Sequence, residues 1–107
     1  MNNAERKLTE MQSLCEQLEG NLETLQTLNQ NLPKIITQMK RLRELYQSDW
    51  LEAVDELKTD EVAWERVYQL ASEGHYSVLG EDTIWDVLTE TDKESKQLLH
   101  QLVDLLG

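Results

Sequence analysis

Leu8, Met11, Cys15, Leu18, Leu22 and Leu25 recur at alternating spacings of three and four. That period is the a/d seam of a helix, and no strand with its period of two can present it on one face. Leu14 and Leu28 fall at the g position and widen the stripe, which suits a helix packed against two or more neighbours. The pattern predicts a helix from Asn3 to about Asn29, on the order of 40 Å long at 1.5 Å per residue. Other helices of so short a chain can cover only part of the stripe, and exposed apolar surface invites a partner. The candidate interface is therefore Leu8, Met11, Leu14, Cys15, Leu18, Leu22 and Leu25, and a homodimer through residues 8–28 is expected.

The rest of the chain is also helical in pattern. Leucine occurs 19 times and phenylalanine never, while four glycines and one proline leave little material for the tight turns of an all-β fold. At 107 residues the chain allows one domain. The expectation is an all-α, single-domain bundle of four or five helices with a long N-terminal arm or hairpin. At Asn29-Gln30-Asn31-Leu32-Pro33 two readings compete. Asparagine suits a helix end and proline the first turn of a new helix, so the short link favours a hairpin with a second helix from about Pro33 to Gln47. One long kinked helix is the other reading, because the apolar phase carries on through Leu32, Ile36 and Met39.

Further on, Asp49 and Glu52 have the spacing of a capping box ahead of Trp50, Val54 and Leu57. Lys58-Thr59-Asp60 interrupts, and Thr59 or Asp60 recaps a helix through Ala71, with Gly74 as its stop. Glu81 and Asp82 fit the first turn of a short helix, and a second capping box, Thr91 with Glu94, starts a final helix. With Phe absent, Trp50, Trp64 and Trp85 are the only large rings for a core, whereas Tyr76 falls in the least helical stretch and is expected at the surface.

Charge divides the chain. Residues 1–47 carry six basic and six acidic side chains, and residues 48–107 carry four against fifteen, so the whole net charge of −11 sits in the second part. That balance conflicts with direct nucleic-acid binding, which needs phosphates neutralised. The basic cluster of Lys34, Lys40, Arg41 and Arg43 is expected to pair with the acidic part. Asp49, Glu52, Asp55, Glu56, Asp60, Glu61 and Glu65 form either a solvated face or a surface for a basic partner.

No catalytic, cofactor or metal site is expected. His75 and Ser77 share a loop, but the local sequence is not that of a nucleophile elbow. His75, His100 and the lone Cys15 have no metal-ligand spacing. Cys15 reads as a small apolar residue in the seam, and the glutamates nearby disfavour a reactive thiolate. The longest apolar run is Val62-Ala63-Trp64, against roughly 20 residues for a membrane span, and Met1–Lys7 has no secretory apolar region. A cytoplasmic protein is expected.

Two blocks carry a resemblance. Tyr46-Gln47-Ser48-Asp49-Trp50-Leu51-Glu52 and the run from Ser77-Val78-Leu79-Gly80-Glu81-Asp82 through Trp85 to Leu88 resemble a family of domains of unknown function found in small Firmicute proteins. Members of that family have a helical N-terminal arm, and the resemblance covers roughly residues 5–105. It implies a mainly structural role for Tyr46, Asp49, Trp50, Val78, Leu79, Glu81, Asp82 and Trp85. The second block departs from the family pattern, with Ser77 in place of glycine and Gly80 in place of serine. Likeness to members from streptococcal bacteriocin loci implies a non-enzymatic accessory or regulatory protein of a bacteriocin or peptide-signalling locus, binding a protein partner. Two alternatives stand beside it: an acidic inhibitor or nucleic-acid mimic that occupies a basic protein, and an immunity-type helical bundle.

Overall fold

The structure is a computed structural model and describes residues 2–107. Every regular element among them is an α-helix: α1 (Asn3–Ser48), α2 (Trp50–Leu57), α3 (Glu61–Tyr68) and α4 (Thr83–Leu106). The chain forms two compact units, residues 1–37 and 38–107, whose boundary lies inside α1.

Residues 3–37 are one stretch of helix, opened by a cap. The Asn2 carboxamide accepts from the Glu5 backbone N–H at 2.8 Å and donates to the Glu5 carboxylate at 2.9 Å. One otherwise unpaired N–H of the first turn is thereby satisfied. Pro33 does not break the helix, so the expected hairpin is replaced by continuous α1. Proline removes one intrahelical hydrogen bond and crowds the preceding turn, at a cost of about 3 kcal/mol. Helical sequence on both sides outweighs that cost, and the unbroken phase through Leu32 and Ile36 records the same choice. The Thr37 hydroxyl donates to the Pro33 carbonyl at 3.0 Å.

Residues 38–107 hold what core there is. Among the described residues, Val54 of α2 and Ile84 of α4 are the two buried apolar side chains, at 8% and 6% exposure. Met39, Leu42, Tyr46 and Trp50 are half-buried at spacings of three and four, which extends an inward face from the end of α1 into α2. α2 and α3 pack on each other. Asp60 caps α3, its carboxylate accepting from the Ala63 N–H at 3.0 Å. Asp49 precedes α2 without such a bond, so the Asp49–Glu52 capping box does not form. α3 ends at Tyr68 rather than Ala71, and a loop follows in which Gly74 adopts φ +84°, a left-handed conformation that glycine takes at no steric cost.

The second expected capping box is likewise absent. Thr91 lies inside α4, where its hydroxyl donates to the Val87 carbonyl at 2.7 Å, the back-bond open to threonine in mid-helix. Ile84, Leu88, Thr91, Leu98 and Leu102 are the better-covered positions of α4 and keep one helical face in phase across that point. A continuous face favours one helix over two.

Candidate functional site

In residues 38–107 the site is built where the two family-like blocks meet. Trp50, at the start of α2, donates its indole N–H to the Val78 carbonyl at 2.8 Å. Tyr46, one turn earlier, lies against it with ring centroids 5.5 Å apart and planes tilted by 51°, within the range of favourable tilted aromatic pairs. Residues 28 apart in sequence are thus joined by one side chain.

The loop beyond Val78 is tied by Ser77. Its hydroxyl accepts from the Leu79 N–H at 3.1 Å, and its carbonyl accepts from the Gly80 N–H at 3.0 Å and the Thr83 hydroxyl at 2.7 Å. A Cβ on Gly80 would lie 2.9 Å from the Thr83 hydroxyl oxygen and 3.2 Å from the Ser77 carbonyl oxygen. Both departures from the family pattern therefore have a physical basis. Ser77 does not occupy a positive-φ conformation, so it needs no glycine, and its side chain supplies a loop bond. Gly80 is the position where a side chain would crowd the turn.

Around this loop Trp64, Tyr68, Tyr76, Leu79 and Thr83 line an open cleft of about 360 Å³. Tyr76 is 87% exposed, as its place in the loop predicted. Trp64 is half-buried along one side of the cleft, and sequence reasoning assigned it only to a core. Tyr68 was missed as a site residue; its position one turn after Trp64 on α3 was the available signal. Trp85 corrects the expectation of a core tryptophan: it is 58% exposed. Asp49, Glu81 and Asp82 are exposed as well, and neither aspartate makes a side-chain cap bond.

The second candidate surface lies on α1 within residues 1–37. Leu8, Met11, Leu14, Leu18, Leu22 and Leu25 are all exposed, Leu18 to 69%, and so is Cys15, which reads from sequence as a seam residue. Leu18, Leu22, Leu25 and Leu28 line an open apolar groove of about 530 Å³ along the helix.

The basic cluster does not pair as expected. Among the described residues Arg41 pairs with Glu44 at 3.3 Å within its own helix. Lys58–Asp55 and Lys96–Asp92 are also pairs one turn apart, all well exposed. Short-range partners win because they cost no loop ordering, and such pairs contribute little to stability. No cluster of three or more His, Cys, Asp or Glu side chains that could hold a metal ion occurs among the described residues. No helix among them is long and apolar enough to cross a membrane.

These features describe a small acidic helical protein with exposed apolar and aromatic surfaces. The chain belongs to the family described as domain of unknown function (DUF4298), whose model matches residues 3–101. No curated protein and no solved structure matches it significantly.

Proposed function

We propose that the chain is a non-enzymatic protein-binding accessory factor that docks its partner through the apolar stripe of α1. The observation that supports this reading is the exposure of Leu8, Met11, Leu14, Leu18, Leu22 and Leu25 along one helix. A contiguous apolar stripe in water costs free energy that docking returns, at about 25 cal/mol per Å² of apolar surface covered. The blocks place the chain in its family, and a likeness of the chain within that family to the streptococcal bacteriocin-locus protein BlpT supports a role inside the cell, as a regulatory or immunity-associated component of a peptide-regulated bacteriocin locus. Capture from the native host tests it, using the full chain and the double variant Leu18→Glu, Leu22→Glu. Capture that survives high salt and disappears in the variant, with helical content retained by circular dichroism, is the expected outcome. Unfolding of the variant would make the stripe core and overturn the reading.

A second reading has its own observation. Residues 38–107 carry sixteen acidic and seven basic side chains, and the ion pairs described are local and exposed. That uncompensated field fits an inhibitor that occupies a basic protein. Capture falling steeply with ionic strength and indifferent to Leu18 and Leu22 distinguishes it.

A further inference from the structure

We infer that the α1 stripe takes a second copy of this chain, as a parallel, in-register two-stranded coiled coil that sets Cys15 against Cys15 of the other copy; this rests on the reading of the stripe as a protein-docking surface. Continued beyond Leu25, the a/d register puts Asn29 at an a position and Leu32 at the following d position, with Ile36 at the next a. α1 is unbroken across all of them, and Asn29 is exposed in the single chain. The seam from Leu8 to Ile36 sustains the a/d register over four heptads, the length at which such a repeat argues for a coiled coil.

Asn29 decides the direction. In a parallel pair each a residue faces its own counterpart, so Asn29 meets Asn29 and the two carboxamides can donate to and accept from each other. In an antiparallel pair a positions face d positions. The two registers that keep most of the seam set Asn29 against Met11 or Leu18, leaving two amides per dimer without a partner. A buried amide without a partner forfeits its hydration for nothing in return. The flanks agree with the parallel arrangement. Lys7 at g faces Gln12 at e, Leu14 faces Glu19, and Asn21 faces Gln26, so no like charges are opposed.

The test uses the unmodified chain at micromolar concentration. Sedimentation should give twice the 12.5 kDa chain mass. Diamide, which accepts the two thiol hydrogens as the sulfur–sulfur bond forms, should convert most of the chain to a covalent dimer on a non-reducing gel. Cys15→Ser should abolish that band and keep the dimer mass, and Asn29→Leu should lower the cross-linked fraction several-fold by admitting the antiparallel pair. A dimer that does not cross-link overturns the inference and leaves the docking reading standing. A monomer, or an assembly of more than two chains, also overturns it. A monomer that still captures a host protein through Leu18 and Leu22 would show that the stripe binds a different partner.

Discussion

Trp50 and Trp85 carry equal weight as letters and different weight in the fold. Trp50 is half-buried, makes a tilted ring contact with Tyr46 and reaches the Val78 carbonyl, so Trp50→Ala should cost about 3 kcal/mol, the lower end for losing a large ring. Trp85→Ala should stay within about 0.5 kcal/mol, because most of that side chain faces water. Urea unfolding followed by far-UV circular dichroism measures both, and equal losses would contradict this account. Gly80→Ala should cost about 1–3 kcal/mol by overpacking the turn against Thr83 and Ser77, read by the same method. The tryptophan difference was not legible in the sequence. Ile84, Trp85, Val87 and Leu88 are apolar around most of a helical turn, and only the neighbours of α4 select Ile84 and Leu88 as the covered face.

At the level of elements, helix starts are governed by single bonds that spacing alone does not guarantee. Asp60, legible with Thr59 as one of two candidate caps, acts as the cap, whereas Asp49 has the same residue type and no bond to the turn it precedes. Asp60→Ala should therefore cost about 1 kcal/mol, while Asp49→Ala should change stability by a few tenths at most. Thermal unfolding of the two variants side by side checks this, and an equal loss in both would mean that Asp49 also caps in solution. The backbone decides such cases. Asp49 sits at φ −121°, ψ −22°; its N–H donates to the Leu45 carbonyl and its carbonyl accepts from the Ala53 N–H, so the bonding of α1 reaches the residue that opens α2. Pro33 and Thr91 are the complementary errors. Each reads locally as a boundary, and each lies inside a helix whose apolar face continues through it.

For the whole molecule, charge is the feature with the clearest solution signature. Residues 38–107 have a net charge of −9 from sixteen acidic and seven basic side chains, and the one-turn ion pairs offset little of it. Self-repulsion among those carboxylates opposes folding and is screened over a Debye length of about 10 Å at 0.1 M salt. Relief worth about 1 kcal/mol would raise the melting temperature by roughly 4–8 °C for a domain of this size. Differential scanning calorimetry at pH 7, from low salt to 0.3 M, should show that rise; a melting temperature independent of salt would mean that the carboxylates do not strain the fold. By itself the sequence determined the helical class, the net charge and where it lies, the stripe from Leu8 to Leu25, and the exposure of Tyr76. Those properties follow from composition, from period and from the absence of a neighbouring apolar phase, all of which are local. Only the tertiary structure decided that Trp50 joins the loop at Val78, that a Cβ at Gly80 would crowd Thr83 and Ser77, that Trp85 faces water and that Pro33 is carried within a helix. Each of those depends on which atoms lie across a contact or on a sum over many helical residues, and neither is set by the residue and its immediate neighbours.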